Sequence, residues 1–316
     1  MQTKFDWADI AFASKKPLKG TATLVLAPRE LSSKRLLALV KELLPKGDIV
    51  LGVAKEAYVA GFEGQTQFRA LTDAAASALA EKIAKSDSAK KLYLLEYFTS
   101  ETDVVVEKLL PKHVIVVRGS YAQTFHTRST FYALNRLRIP FSYASPFVDE
   151  AEAKMYEKQN EVKIADVKSG NEVKMLALAQ TVATQSFDYS FQTGCVLAKK
   201  NGAHYTVLAT GFNKVIPYQT YAMHYGNARE DNASLVHDAN HYDTIHAEMQ
   251  LLVKAQQAGL SLVGTTLFIN MLPCPSCTRT LSQTDITEVV YSVDHSNGYA
   301  VKLLELCGKK VRRIVT

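Results

Sequence analysis

The stretch TTLFINMLPCPSC, residues 265–277, joins an apolar run to two cysteines spaced three residues apart. Residues 265–270 predict a buried strand, and Pro275 suits the first turn of a helix, where its missing N–H costs nothing. Cys274 and Cys277 would then share one face of that turn, where exposed N–H groups and the helix dipole favour thiolates. The stretch therefore predicts a strand that leads into a helix whose first turn can bind a metal ion.

A second helix start lies upstream in DTIHAE, residues 243–248. An apolar period follows it, with Asp243 or Thr244 as the predicted N-cap and Gly259 as the predicted stop. His246 and the two cysteines would give Zn²⁺ three protein ligands and leave its fourth position to water, which is the pattern of a catalytic site. Such water has a pKa of about 7, and Glu248 stands close enough in sequence to move its protons. Cys-x-x-Cys alone would more often be structural or redox-active, and the added His-x-Glu favours catalysis.

His246-Ala247-Glu248 together with PCPSC, residues 273–277, resembles the signature of the cytidine deaminase-like zinc hydrolases. The resemblance implies His246, Cys274 and Cys277 as zinc ligands and Glu248 as the proton shuttle. Water held by zinc would attack C4 of a cytosine-type ring, while Glu248 protonates N3 and then the departing amine. It further suggests three substrate contacts: Asn213, Ala247 and Pro273.

The resemblance extends over residues 173–316, which predicts a three-layer α/β/α domain. Helix 174–186 and strands 192–198, 205–211, 289–292 and 311–315 are similar to elements of the family fold. A long insertion before His246 and the short Pro-Cys-x-x-Cys are similar to deoxycytidylate deaminases, whereas riboflavin-pathway and transfer-RNA deaminases depart from this pattern. We therefore expect conversion of dCMP to dUMP.

Residues 1–150 predict a separate Rossmann-like domain. Apolar strands at 23–26, 48–53, 91–95, 113–117 and 141–144 alternate with helix-period segments, which favours a parallel sheet covered on both faces. No Gly-x-Gly-x-x-Gly follows the first strand, where APRE stands instead, and no Walker loop occurs. A conventional dinucleotide site is therefore disfavoured. Residues 151–172 predict a polar helix or linker between the two domains.

Residues 108–148 lack acidic side chains and interleave basic with aromatic residues. Arg118, Arg128 and Arg136 are candidate contacts for the phosphates of a nucleotide or a nucleic acid. The alternative is a solvated basic surface whose aromatic residues lie in the core. Most of the net charge of +6 falls in this first half of the chain.

All four cysteines lie in the second half, and so few do not make a disulfide scaffold. We expect Cys195 and Cys307 to be small buried side chains. With no apolar run of ~18 residues and no secretory pattern at the start, a cytoplasmic protein without a membrane contact is expected.

The insertion at residues 213–242 allows two interpretations. His224, His237 and His241 could bind a second metal, or they could be surface polar groups while the insertion covers the pocket. Two other functions also stay open. One is a DNA or RNA deaminase whose first half binds the strand, and the other is a nucleotide-sensing protein with structural zinc. A small nucleotide substrate and homo-oligomer formation are the expected interactions.

Overall fold

The computed structural model describes residues 4–6, 8, 22–85, 89–235, 238, 240–295 and 297–315. The chain divides into two compact units. The N-terminal unit contains Met1–Asn160 and Thr220–Asp243, and the C-terminal unit contains Glu161–Gln219 and Thr244–Thr316. Within the described part of the chain, no helix is both long and apolar enough to cross a membrane.

A six-stranded sheet forms the centre of the N-terminal unit, and all of its strand pairs are parallel. Buried β-branched and leucine side chains in consecutive positions make these strands apolar on both faces, as the sequence predicts. The strand order is β1-β4-β3-β2-β5-β6. The strands are β1 (Lys4–Asp6), β2 (Thr23–Ala27), β3 (Ile49–Ala54), β4 (Leu92–Tyr97), β5 (His113–Val117) and β6 (Phe141–Ala144).

Helices cover both faces of this sheet. Apolar side chains of the first two helices pack in one cluster against one face, and those of the next two pack in a second cluster against the other. Thr72 caps the second helix by accepting a hydrogen bond from Ala75 N. The helices are α1 (Ser33–Leu43), α2 (Asp73–Ala84), α3 (Thr102–Leu109), α4 (Ser129–Leu137) and α5 (Glu150–Gln159).

The C-terminal unit is built on a mixed sheet in the order β14-β13-β12-β8-β9-β7. Its first three strands run parallel, and β8 pairs antiparallel with both β12 and β9. A separate two-stranded ribbon, β10 with β11, joins the chain before and after the insertion. The strands are β7 (Ser169–Gly170), β8 (Gly194–Asn201), β9 (His204–Phe212), β10 (Lys214–Val215), β11 (Thr244–Ile245), β12 (Thr265–Met271), β13 (Ile286–Val293) and β14 (Lys310–Arg313).

Helices on both faces of the mixed sheet give the three predicted layers. One helix, α6, packs its apolar side chains on one face, and α9, α10 and α11 cover the other. The helices from the linker onward are α6 (Glu172–Ala183), α7 (Tyr221–Tyr225), α8 (Ala228–Asp231), α9 (Ala247–Gln257), α10 (Pro275–Ser282) and α11 (Tyr299–Leu306). The mixed α/β class and the two sheet types are thus confirmed.

Two details differ from expectation. Cys195 is fully buried, as expected, but Cys307 is exposed, so the prediction of a buried side chain there is wrong. Cys307 is the C-cap of α11, where the chain turns outward after the last apolar position that faces the sheet. The N-cap of α9 is His246 itself, because Asp243 and Thr244 belong to the preceding segment and strand. Gly259 ends that helix region with a φ of 64°, as predicted.

The insertion Thr220–Asp243 folds with the N-terminal unit, although the sequence places it inside the predicted C-terminal domain. Arg118 Nη1 donates to the His224 carbonyl at 3.0 Å. The Glu230 carboxylate lies 2.7 Å from His126 Nδ1 and also accepts a hydrogen bond from the His126 backbone N–H. These side chains are far apart in sequence, so residue pattern alone gives no signal for this association.

Candidate metal centre

Two helix starts in the C-terminal unit bring the metal-ligand candidates together. His246 is the N-cap of α9, and Cys274 is the N-cap of α10 with Pro275 in the first turn. Cys277 follows one turn later, and its backbone N–H donates to Cys274 Sγ at 3.4 Å. The two helices therefore begin beside each other at the ligand cluster. The N–H groups of a helix's first turn have no acceptor within the helix, and they favour negative charge on nearby side chains.

The three donor atoms have the separation that zinc requires. His246 Nδ1 lies 3.4 Å from Cys274 Sγ and 3.3 Å from Cys277 Sγ. All three ligand atoms lie within 4.8 Å of one another. Tetrahedral Zn²⁺ with ordinary Zn–N and Zn–S bonds puts nitrogen and sulfur about 3.6 Å apart. One imidazole and two thiols in this arrangement therefore fit zinc, and no rearrangement of the helices is needed.

Electrostatics within the cluster favour a thiolate. Hydrogen bonding from Cys277 and then from His246 lowers the pKa of Cys274 to about 4, against the opposing effect of burial. The Cys274 thiolate in turn raises the pKa of His246 and, with burial, that of Cys277. A metal bound by all three side chains would require both sulfurs as thiolates, so metal binding would release protons.

Glu248 lies in the first turn of α9, two residues after His246, and only 3% of it is exposed. Burial raises the pKa of its carboxyl group. Glu248 is thus a buried carboxyl group beside the three metal-ligand candidates and is not itself one of that group.

Close contact with β9 and β8 fixes the start of α9. The Cys195 thiol donates to the Ala247 carbonyl at 3.3 Å. A Cβ atom added to Gly211 would lie 2.7 Å from the same oxygen, so only glycine allows the helix to approach β9 this closely. Sequence reasoning missed both roles, because a lone buried cysteine and a strand glycine carry no motif.

Asp188 is a further residue that the sequence did not single out. Its carboxylate accepts from Ser190 N at 2.6 Å and from Thr244 Oγ1 at 3.2 Å, two residues before His246. The negative charge of Asp188 also contributes to the raised pKa of His246. The Asp-x-Ser turn at 188–190 is the local signal that could have indicated it.

The three predicted substrate contacts occupy different environments. Asn213 is buried, and its amide accepts from Thr193 N at 2.8 Å and donates to the Phe191 carbonyl at 2.8 Å. Ala247 is fully buried beside Glu248. Pro273 is buried next to Cys274, and its carbonyl accepts from the hydroxyl of the Thr278 side chain at 3.2 Å.

The three arginines predicted to contact phosphates do not converge in the N-terminal unit. Arg118 binds the His224 carbonyl, and Arg136 forms an exposed ion pair with Glu107. Arg128 lines a cavity at the carboxyl ends of the sheet strands. The neighbouring aromatic residues mostly pack around the fully buried Phe125 and form part of the core.

The histidines of the insertion bind other groups. His224 Nδ1 lies 2.6 Å from Ser145 Oγ, and His241 Nδ1 lies 2.6 Å from Ser234 Oγ and 2.9 Å from the Asp238 carboxylate. His237 lies outside the described residues. Among the residues that are described, the group at His246 is the only one of three or more His, Cys, Asp or Glu side chains placed to hold a metal.

Residues 170–293 match the family model described as the cytidine and deoxycytidylate deaminase zinc-binding region. The deoxycytidylate deaminase of Saccharomyces cerevisiae is 30% identical over 144 residues, which are 44% of this chain and 43% of that protein. ComE operon protein 2 of Bacillus subtilis is 29% identical over 85 residues, 27% of this chain and 45% of that protein. The chain spans less than half the length of the curated relatives it matches.

Among solved structures, a dCMP deaminase from the cyanophage S-TIM5 in complex with dCMP and dUMP is 22% identical. The match covers 45% of this chain and 96% of the phage protein, with a TM-score of 0.37. The family match and the curated relatives confirm the resemblance predicted from the sequence for the C-terminal half. The C-terminal half is therefore similar to the cytidine deaminase-like class, and the family model that it matches describes a zinc-binding region.

Proposed function

We propose that the C-terminal unit is a zinc-dependent hydrolytic deaminase that converts dCMP to dUMP. The observation that carries the proposal is the cluster of His246, Cys274 and Cys277, whose three ligand atoms lie within 4.8 Å of one another. The buried Glu248, in the first turn of α9, completes the set of side chains that hydrolytic deamination needs.

Each group at the centre has a distinct chemical part. Zn²⁺ held by His246, Cys274 and Cys277 would supply a water-derived nucleophile at neutral pH. The two helix starts hold the imidazole and the two sulfurs in position, so little rearrangement is needed when the substrate binds. The surrounding buried side chains exclude other water from the carboxyl group of Glu248.

Glu248 moves the protons. Hydrolysis at C4 of cytosine requires a proton at N3 while the water attacks and a second proton on the departing amine. A single carboxyl group can carry both in turn, because it accepts a proton from the attacking water before each delivery. Its place in the first turn of α9, beside Ala247 and His246, keeps it within reach of the ligand cluster.

Several features support dCMP as the substrate. Relatives named deoxycytidylate deaminases match the same segment, although at low identity. The short Pro-Cys-x-x-Cys and the long insertion are similar to that subgroup. Among the described residues, Arg118 and Arg136 have partners within the N-terminal unit, so neither favours a polynucleotide.

Ammonia release from a substrate panel tests the proposal. Zinc-loaded full-length protein would be given cytidine, CMP, dCMP, dCTP, adenosine, transfer RNA and cytosine-containing single-stranded DNA. We expect dCMP to have the highest kcat/KM. Preference for a nucleic-acid strand, or for adenosine, would replace the proposed substrate.

Glu248→Ala is the catalytic control, and Glu305→Ala is its matched partner because Glu305 is an exposed glutamate on α11 of the same unit. Glu248→Ala should retain zinc and lose about 10²–10⁴ in kcat, which is the usual contribution of a positioned acid or base. Glu305→Ala should behave as the wild type. Full turnover in Glu248→Ala would rule out its role as proton shuttle.

A further inference from the structure

A cavity in the N-terminal unit lies where ligands bind in sheets of this topology. From β2 the chain adds β3 and β4 on one side and β5 and β6 on the other, so the order reverses between β2 and β5. Open parallel sheets bind ligands outside the carboxyl ends of the strands at such a reversal. The cavity measures about 210 Å³ and is lined from the carboxyl ends of β2, β3 and β4 and from the loop after β5.

This crevice is not built for a diphosphate. Glu30 lies in the loop after β2 and is fully buried, and its carboxylate accepts from the backbone N–H of Ser120, beyond β5, at 2.9 Å. Gly119, the residue before Ser120, has a φ of 127°, and a Cβ atom there would lie 3.2 Å from the Glu30 carboxyl carbon. A built-in carboxylate thus occupies the place where a phosphate would bind.

The helix start that would normally help to bind phosphate is also satisfied from within. Ser32 Oγ accepts from Arg35 N at 3.0 Å and caps α1. The glycine-rich turn that lets a diphosphate approach this helix is replaced by Pro28-Arg29-Glu30. Both observations remove contacts that a phosphate would use, and the buried carboxylate favours a ligand that donates hydrogen bonds.

Glu56 offers the acceptor for such a ligand. It follows β3, the second strand of the first β-α-β unit, where an acidic residue recognises ribose hydroxyls in sheets of this order. The Thr99 hydroxyl donates to Glu56 Oε1 at 2.9 Å, and the Thr99 backbone N–H is shared between Oε1 at 3.1 Å and Oε2 at 3.3 Å. An ionised carboxylate accepts about four hydrogen bonds, so Glu56 retains capacity for ligand hydroxyls.

Arg128 offers the matching donor. Its guanidinium group donates to the Ser120 carbonyl at 3.2 Å and lies 5.4 Å from the centre of the Tyr121 ring. Within the described residues, no acceptor bonds its buried Nε. That Nε has almost no accessible surface, so a ligand in the cavity would meet Arg128 as a positive charge in the lining, which favours an acceptor. Most of the other lining residues are apolar or aromatic, among them Ala27 and Tyr97, and they suit a flat ring.

We infer that this cavity binds a ribonucleoside whose phosphate, if it has one, lies outside the crevice. Its ribose hydroxyls donate to Glu56, its base packs against the tyrosine and alanine wall, and an acceptor on the ligand faces the guanidinium group of Arg128. The site is separate from the metal centre and does not depend on the proposed deamination.

Calorimetric titration of the full-length zinc-loaded protein tests the inference. The probes are the four ribonucleosides, their 2′,3′-dideoxy analogues and the 5′-diphosphates. At least one ribonucleoside should bind with a Kd below about 1 mM. Removing both hydroxyls should weaken binding on the order of tenfold, as expected for hydrogen bonds to a charged group. A diphosphate that binds more tightly than its nucleoside would overturn the inference.

Variants locate the binding. Glu56→Gln should weaken ribonucleoside binding about tenfold, and Ala60→Phe, at the exposed rim of the cavity, should block it. Glu63→Gln is the matched control, because Glu63 is exposed and lies outside the cavity lining. Equal affinity in all three variants would place the binding elsewhere, and no detectable binding of any ribonucleoside to the wild type would exclude the site.

Discussion

Gly211→Ala tests whether strand packing positions the metal centre. The added Cβ atom would lie 2.7 Å from the Ala247 carbonyl oxygen and 3.0 Å from Leu251 Cβ, whereas ordinary contacts begin near 3.4 Å. Helix α9 would therefore have to retreat by about 0.7 Å. Metal-ligand distances tolerate only about ±0.2 Å, and His246 is the N-cap of this helix. We expect a loss of about 1–3 kcal/mol in the free energy of unfolding and a tenfold or greater loss of zinc affinity.

Gly202→Ala is the matched control for that variant. Gly202 has a φ of 60° and open space around its Cβ direction, so alanine costs about 1–2 kcal/mol through backbone strain without touching α9. Urea unfolding should show similar destabilisation in both variants. Competition with a chelator should show weaker zinc binding only in Gly211→Ala. Equal zinc affinity in the two variants would refute the claim that this contact positions His246.

Three other substitutions have distinct expected outcomes. Glu248→Gln should keep zinc and lower kcat by about 10²–10⁴, measured by ammonia release. Arg312→Ala removes the guanidinium group that lowers the pKa of Glu172 to about 2. Because this folded-state pKa is below the ordinary 4.5, the pair stabilises the fold above about pH 4.5 and the stabilisation is lost toward pH 2. Unfolding free energies of variant and wild type should thus differ at pH 7 and converge at low pH. Glu230→Ala removes the carboxylate that anchors residues 220–243 within the N-terminal unit, so limited proteolysis in that segment should be faster.

Each of these has a control at a residue of the same charge. Glu305→Ala serves for Glu248→Gln, and Lys310→Ala, which removes a more exposed cation beside the same Arg312 network, serves for Arg312→Ala. Glu107→Ala, from an exposed ion pair, serves for Glu230→Ala. A pH-independent stability difference in Arg312→Ala, or unchanged cleavage in Glu230→Ala, would contradict the corresponding interpretation.

Much of the fold could be predicted because its signals are local. The apolar strands of residues 1–150 appear in the structure within a few residues of their predicted bounds. The short edge strand Lys4–Asp6 has no such pattern, because only its pairing with β4 makes it a strand. The association of Thr220–Asp243 with the N-terminal unit depends on contacts between distant residues and is likewise invisible in the sequence.

The convergence of the metal-ligand candidates was predictable for a different reason. His246, Cys274 and Cys277 stand at helix starts whose spacing fixes which side chains converge. The positions of the arginines that were predicted to contact phosphates were harder to predict, since a basic and aromatic composition does not show where each side chain points. Arg136 lies on the surface with Glu107, whereas Arg128 lines the cavity. Glu30, which decides the chemistry of that cavity, carries no motif and is identified only by its contact with Ser120 N.

Zinc titration of metal-stripped protein tests the central claim most directly. Deamination of dCMP would be followed while zinc is added to the stripped wild type and to Cys274→Ser. The proposed centre predicts that activity rises in proportion to zinc and stops at one ion per chain, and that Cys274→Ser gains little activity. Full activity in the stripped protein, or equal activation of Cys274→Ser, would contradict a catalytic zinc at His246, Cys274 and Cys277.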